Sequence, residues 1–302
     1  MRRPDPRFLA LVVLLALAGC QPTGAEGDEV TPDIVSQNPE LATLPDIPVV
    51  EDVVYGNADG VDLLLDVCLP KEQITPPVPR AAIVIVHGGS WTRGDKADIG
   101  WRAVCQWFAD EGYPAFSINY RLAPEHPYPA ATQDVRTAIN WVLQPEQLER
   151  YSVDRERIAL FGGSAGGNLA SQVGLRGAPV AAVAELSAPV DLTGVAATDD
   201  FIPVQLSYLA CTSYADCPHA DDASPRYAID EGDPPFFVAH STDERIPIEQ
   251  SQLFVEDLRA AGVATEFVIA QGTLHSIAML DAQLKERIIA FYARVLGAPS
   301  LG

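Results

Sequence analysis

Ser164 is the residue of this sequence whose neighbours most directly predict chemistry. Residues 161–167 read Phe-Gly-Gly-Ser-Ala-Gly-Gly and contain the pattern G-x-S-x-G between a predicted strand and a predicted helix. A strand that turns this sharply into a helix exposes the serine hydroxyl, and side chains in place of the glycines would collide with the backbone. The pattern predicts Ser164 as a nucleophile. A phosphate-binding turn is the alternative, but the run is neither G-x-G-x-x-G nor a Walker loop with its lysine.

A serine hydroxyl is a poor nucleophile until a base removes its proton. Five histidines are available: His87, His126, His219, His240 and His275. In enzymes with a serine on such a turn, the order along the chain is serine, acid, histidine. His275 follows the last predicted strand and leaves room for an acid after Ser164, so we expect it to be the base.

The acid that orients the histidine is expected in residues 240–247, His-Ser-Thr-Asp-Glu-Arg-Ile-Pro. They follow a predicted strand and open a helix, which places their carboxylates at the carboxyl edge of the sheet. Asp243, the first carboxylate after the strand, is the predicted acid. Glu244 beside it and Asp191, after an earlier strand, remain alternatives. The acid would hold the imidazole in one tautomer and stabilise the imidazolium.

The oxyanion of a tetrahedral intermediate needs N–H donors, and loss of one donor costs about 10²–10³ in rate. Residues 87–91, His-Gly-Gly-Ser-Trp, follow a predicted buried strand, where a glycine loop can present N–H groups. Ala165 adds the N–H that follows the nucleophile.

Alternating strands and helices must position these groups. Residues 49–55 and 61–69 are predicted to form an antiparallel hairpin. Further strands are expected at 81–86, 115–120, 157–161, 180–186, 235–240 and 266–270, and helices at 101–111, 130–143, 165–174, 248–261 and 277–296. This order predicts a mostly parallel, eight-stranded α/β sheet with helices on both faces. Residues 191–233 break the alternation, and a segment that long is expected to form a cap or lid over a pocket.

The N-terminus has the pattern of an export signal. Arg2, Arg3 and Arg7 precede an uncharged stretch, 8–18, which is too short to span a bilayer. It ends Leu-Ala-Gly-Cys, which resembles the lipobox of bacterial lipoproteins, and that resemblance implies lipidation of Cys20 and membrane attachment. If the cell is Gram-negative, Gln21 is compatible with transport to the outer membrane. The alternative to a lipoprotein signal is an ordinary signal peptide. We expect a signal peptide at 1–19, a flexible acidic linker at 20–48 and a catalytic domain at 49–298.

Composition and cysteine usage limit the remaining possibilities. The chain has 302 residues, 48% of them hydrophobic, and a net charge of −21, which disfavours a nucleic-acid partner. Apart from Cys20, an even number of cysteines in an exported protein favours two disulfides. Cys211 and Cys217 are six residues apart in a loop-like stretch and are expected to pair, which leaves Cys68 with Cys105. A buried free thiol at Cys105 is the alternative, and no C-x-x-C supports a zinc site.

Taken together, these segments resemble the α/β-hydrolase superfamily, specifically bacterial esterases of the hormone-sensitive-lipase-like and feruloyl-esterase-like groups. The matching segments are 87–91, 120–125, 162–170, 243–247 and His275, within residues 50 to 297. The resemblance implies an α/β-hydrolase fold and an oxyanion hole built from the N–H groups of Gly89, Ser90 and Ala165, with Gly88 shaping the loop. It implies no metal and no organic cofactor.

Two departures refine the resemblance. Ser90 stands where hormone-sensitive-lipase relatives have a third glycine, and Gly163 stands where they carry an acid. Both changes favour the group with the signature H-G-G-x-W. We expect a serine carboxylesterase for short-chain esters. A carbohydrate-linked (acetyl or feruloyl) esterase, an amidase or formamidase, and a non-catalytic binding module of the same fold are the alternatives.

Overall fold

The computed structural model describes residues 41–71 and 77–298, together with the backbone of residues 33–36. The predicted signal peptide, Cys20 and much of the predicted linker lie outside the described residues. Within these residues, no helix is both long and apolar enough to cross a bilayer.

A single sheet forms the centre of the described fold, and its strands run in the order β1-β9-β8-β7-β6-β4-β5-β3-β2. The strands are β1 Asp33–Ser36, β2 Val49–Ala58, β3 Val61–Cys68, β4 Arg80–Val86, β5 Ala115–Ile118, β6 Val153–Gly163, β7 Ala182–Leu186, β8 Phe236–Ser241 and β9 Thr265–Gln271. Strand β3 pairs antiparallel with β2 and β5, and the other neighbours are parallel. The predicted eight-stranded, mostly parallel sheet is confirmed, with β1 as a ninth strand.

Strand β1 and the residues before β2 correct the predicted linker. β1 pairs with β9, so this part of 20–48 belongs to the sheet. Ile47 is buried, and the N–H of Leu44 donates to the Gln106 side chain at 2.8 Å. The edge of β9 offers unpaired backbone groups that a short strand can satisfy. The folded part of the chain therefore begins before residue 49.

Helices cover both faces of the sheet. They are α1 Ile99–Asp110, α2 Ala130–Val142, α3 Pro145–Arg150, α4 Ala165–Gly174, α5 Ile202–Leu209, α6 Glu249–Ala260 and α7 Ala282–Leu296. Apolar side chains of α1 and α7 pack on one face, and those of α2, α4 and α6 pack on the other. All seven residues of β4 are buried, because a central parallel strand is covered on both sides.

The last predicted helix, 277–296, is interrupted near its start. A 3-10 turn at Ser276–Met279 follows His275, and Asp281 then caps α7 by accepting a hydrogen bond from the N–H of Leu284 at 2.8 Å. The interruption leaves His275 in a turn rather than at the start of a long helix.

The insertion at 191–233 lies against the H-G-G-S-W loop. It contains α5 and two 3-10 turns, Tyr214–Asp216 and Pro225–Ala228. Tyr208 of α5 stacks on Trp91 with the ring centres 4.4 Å apart, and Phe201 stacks on the same indole at 6.0 Å. The insertion therefore buttresses the loop predicted to hold the oxyanion.

Both predicted disulfides are present. Cys68–Cys105 joins β3 to α1, and Cys211–Cys217 closes a short loop just after α5. The alternative of a free Cys105 thiol is excluded in this structure.

Candidate active site

Ser164 occupies a strained turn between β6 and α4. It has a φ of 55° and a ψ of −128°, and its exposed fraction is 7%. A non-glycine residue in this region costs free energy and persists only where its surroundings fix it. A Cβ atom at Gly162 would lie 2.3 Å from the Gly166 carbonyl oxygen, and one at Gly166 would lie 2.0 Å from that of Val86. The two glycines let the backbone close around the serine.

His275 and Ser164 line the same cavity, which has a volume of about 350 Å³. The cavity also exposes Gly88, Gly89 and Ser90. The structure thus brings the predicted nucleophile, base and oxyanion loop to one place, although they come from three separate segments of the chain.

The acid beside His275 is Glu244, and the prediction of Asp243 is corrected. Glu244 Oε2 contacts His275 Nδ1, and the Glu244 side chain is fully buried. Asp243 is exposed, and its carboxylate accepts a hydrogen bond from the Thr242 hydroxyl at 2.9 Å. The backbone N–H of Asp243 donates to the Gly272 carbonyl at 2.9 Å, so the turn is fixed with Asp243 facing solvent. The next residue then points inward, where the longer Glu side chain reaches the imidazole.

Asp191, the more distant alternative, is engaged elsewhere. Its carboxylate accepts hydrogen bonds from the hydroxyls of Thr193 and Tyr227 and lies 3.5 Å from Arg226. It organises the start of the insertion, away from the imidazole of His275.

Glu244 is an anion at neutral pH despite its burial. Desolvation acts to raise the pKa of its carboxyl group, but hydrogen bonds and charge from His240 and His275 outweigh it and lower the pKa to about 2. A carboxylate held in this way can orient His275 and stabilise its protonated form.

His240 was not predicted to belong to this site. It is fully buried, and its Nε2 lies 3.0 Å from Glu244 Oε1. The sequence feature that points to His240 is its place at the end of a buried strand, four residues before Glu244.

Glu185, on β7, is a second buried carboxyl group near the acid. Burial raises the pKa of Glu185 to about 8, and the charge of Glu244 adds to this effect, although a hydrogen bond from the Ala188 N–H opposes it. The two carboxyl groups therefore differ in charge at neutral pH, with Glu185 protonated and Glu244 ionised.

Replacing Glu185 with Gln should change how stability depends on pH. Between the free-glutamate pKa of about 4.3 and the folded value, the folded protein holds a proton that the unfolded chain has lost. The stabilisation of the folded state by this bound proton is fully present below about pH 4.3 and declines as pH rises towards 8. Wild type should lose about 1.36 kcal/mol of unfolding free energy per pH unit in this range, and Glu185→Gln should not. The unfolding free energy of the variant minus that of wild type should therefore rise by about 3 kcal/mol between pH 5 and pH 8. Urea unfolding at both pH values measures it, and a pH-independent difference would contradict the raised pKa.

The oxyanion loop is fixed from below by buried aromatic residues. The Tyr120 hydroxyl donates to the His87 carbonyl at 3.0 Å, and the two rings stack with centres 4.3 Å apart. Burial lowers the pKa of His87, and because its Nδ1 lies 2.7 Å from the Gly88 carbonyl, which only accepts, that nitrogen carries the hydrogen. A Cβ atom at Gly89 would lie 2.0 Å from the Arg93 carbonyl oxygen. The tight loop and Ala165, the first residue of α4, border Ser164.

Gly163 has no room for the acidic side chain found in hormone-sensitive-lipase relatives. A Cβ atom there would lie 2.0 Å from Ser276 Oγ and 3.2 Å from the Trp101 ring. The side chain of Ser276, the residue that follows the base, occupies the space that an acidic side chain at position 163 would need.

The other histidines lie outside this cavity. His126 is 3.8 Å from Asp59, and the exposed His219 lies beside Tyr128, with ring centres 5.8 Å apart. Neither is placed to accept a proton from Ser164.

Comparisons with known proteins agree with this geometry. The BD-FAE family model matches residues 65–258. Esterase LipC of Mycobacterium tuberculosis is 33% identical over 248 residues, and the match covers 76% of this chain and 60% of LipC. Esterase LipQ of the same organism is 30% identical over 311 residues, covering 92% of this chain and 71% of LipQ. The chain thus spans less than two thirds of LipC but more of LipQ.

Solved esterase structures have the same fold. Native esterase 2 of Thermogutta terrifontis superposes with a TM-score of 0.69 at 26% identity, covering 85% of this chain and 95% of that one. The same enzyme phosphonylated by sarin gives a TM-score of 0.71 at 26% identity, with 87% and 99% covered. Organophosphates of this type react with activated serines.

Proposed function

The chain belongs to the BD-FAE family, and from this premise we propose that it is a serine carboxylesterase that hydrolyses short-chain esters through an acyl-enzyme. One observation carries the proposal: Ser164, His275 and the loop of Gly88, Gly89 and Ser90 line a single cavity. The contact of His275 with the buried, ionised Glu244 adds the group that orients the base.

In the proposed reaction, Ser164 Oγ attacks the ester carbonyl while His275 takes its proton. The oxyanion accepts hydrogen bonds from the N–H groups of Gly89, Ser90 and Ala165. His275 returns the proton to the leaving alcohol as the carbon–oxygen bond breaks. A water molecule, deprotonated by His275, then releases the acid from Ser164. Glu244 keeps the imidazole oriented through both halves.

The size and lining of the cavity support short acyl chains. The cavity has a volume of about 350 Å³, and apolar side chains of Trp101, Phe201, Ile246 and Ile277 form part of its wall. Esterase 2 of Thermogutta terrifontis has been solved with propionate and with butyrate bound. Small acyl groups are thus the substrates that the site fits best.

Hydrolysis of p-nitrophenyl esters from acetate to palmitate tests this proposal. We expect kcat/KM to be highest between acetate and butyrate and to fall as the chain outgrows the cavity. An optimum at palmitate would contradict the assignment of short chains. Faster cleavage of acetyl p-nitroanilide than of the acetate ester would favour the amidase alternative, and p-nitrophenyl ferulate tests the carbohydrate-linked one.

We further propose that the protein is a lipoprotein held at a membrane by acylated Cys20. The support is the basic start, the short apolar stretch and the Leu-Ala-Gly-Cys sequence. Two or more acyl chains suffice for stable attachment. With the full N-terminus expressed in a bacterium, the protein should enter the detergent phase of Triton X-114 and Cys20→Ser should not. Equal partitioning of the two would contradict lipidation.

A further inference from the structure

His240 is a buried histidine that approaches Glu244 at the carboxylate oxygen not used by His275. It lies in β8, with its side chain fully buried, and its Nε2 is 3.0 Å from Glu244 Oε1. Glu244 Oε2 contacts His275 on the other side. The carboxylate is thus held between two imidazole rings.

The far oxygen of Glu244 depends on His240. Within the described part of the chain, Glu244 Oε1 is buried and has no well-aligned hydrogen bond. The polar group that can offset the loss of water around it is Nε2 of His240, 3.0 Å away. A buried carboxylate without hydrogen-bond donors or opposite charge takes up a proton instead of remaining ionised.

Neighbouring groups fix the orientation of the His240 ring. Nε2 lies 2.8 Å from the Ile246 carbonyl, and a carbonyl only accepts, so Nε2 carries a hydrogen. The Nε2–H donates to the Ile246 carbonyl, and Glu244 Oε1 lies 3.0 Å from the same nitrogen. Nδ1 lies 2.6 Å from the hydroxyl of Ser251 on α6, which prevents the ring from flipping. The Nε2–H is present in either charge state of the ring.

We propose that His240 is a positioning residue that keeps Glu244 ionised and aimed at His275. This role rests on the proposed esterase function. His240 contacts Glu244, Glu244 contacts His275, and His275 lines the same cavity as Ser164. His240 is not part of the cavity lining, so it touches neither substrate nor reacting atoms. Its effect must pass through the carboxylate of Glu244. A residue that only fills the core would affect folding without this dependence on Glu244.

A double-mutant cycle tests this dependence. His240→Leu removes the hydrogen, whereas His240→Gln can place an amide N–H near the Nε2 position. Residues that hold metal-ligating side chains in place typically contribute about 10–100-fold to activity, and His240 is proposed to hold the Glu244 carboxylate in a comparable way. We expect His240→Leu to lower kcat for p-nitrophenyl acetate by about that factor with KM nearly unchanged, and His240→Gln to recover most of it. With Glu244→Gln already present, His240→Leu should lower kcat by less than about threefold.

Controls make each outcome decisive. The exposed His219 lies outside the cavity, so His219→Leu should retain wild-type kcat. Equal losses from His240→Leu in both backgrounds, or no recovery in His240→Gln, would overturn the positioning role. If His240→Leu does not fold, Ser251→Ala is used instead, because it removes the hydroxyl that holds the His240 ring. The loosened His240 ring should lower kcat in the wild-type background and not in Glu244→Gln. No ester turnover by the unmodified protein would instead refute the proposed function, and this role with it.

Discussion

Ser164→Ala should lower kcat for p-nitrophenyl acetate by at least about 10⁴-fold, because no other group on the strained turn can form the acyl-enzyme. The oxyanion loop and the bound geometry would leave a small residual rate above that in water. Initial rates with saturating ester measure kcat, and a thermal melt verifies that the variant is folded. The expected loss is the largest of any single substitution in this chain.

Ser171 provides a matched control for this substitution. It lies on α4, the same helix that begins beside Ser164, and is fully buried with a hydroxyl that has no partner among the described residues. Ser171→Ala should stay within about twofold of wild-type kcat, since Ser171 does not line the cavity. A Ser164→Ala protein with more than a tenth of wild-type kcat would exclude Ser164 as the nucleophile.

Two adjacent carboxylates give the second large effect. Glu244→Gln should lower kcat by about 10³–10⁴-fold, since a neutral amide can hold His275 in the wrong tautomer and cannot stabilise the imidazolium. Asp243→Asn should change kcat by less than about threefold, because the Asp243 side chain faces solvent. Steady-state kinetics of both variants on one ester compares them directly.

Asp243→Asn is the matched control for Glu244→Gln, since each variant exchanges one carboxylate for its amide at neighbouring positions. Melting temperatures show whether loss of the buried charge has also affected the fold. A large loss of kcat in Asp243→Asn with a normal Glu244→Gln would restore the assignment made from the sequence alone.

The parts of the site with local signals could be predicted from the sequence. Ser164 is marked by its glycines, and His275 by its place after the last strand. Alternating strands and helices likewise predict a mostly parallel sheet, because parallel strands need helical crossovers. These features depend on neighbouring residues and on general rules of chain connection.

The choice between Asp243 and Glu244 depends on a contact between distant segments. The hydrogen bond from the Asp243 N–H to Gly272 sets which of the two side chains faces inward. Strand β1 likewise pairs with a segment distant in sequence, β9, and it lies within residues 20–48, whose prolines, threonines and acids resemble a linker. The close approach of Gly163 to Ser276 has the same origin. Such contacts leave no pattern in either segment alone.

The stacking of Tyr208 on Trp91 has a consequence for protein engineering. Swapping the 191–233 insertion between relatives is an obvious route to new substrate ranges, because loops usually tolerate exchange. Here the insertion supplies an aromatic support for the oxyanion loop, and the Trp91 indole in turn donates to the Asn168 side chain of α4 at 3.3 Å. A transplanted insertion that lacks an aromatic residue at this point would bring a new pocket wall together with a weakened catalytic centre. The insertion and Trp91 are therefore one exchangeable module, and chimaeras should be cut so that both come from the same parent.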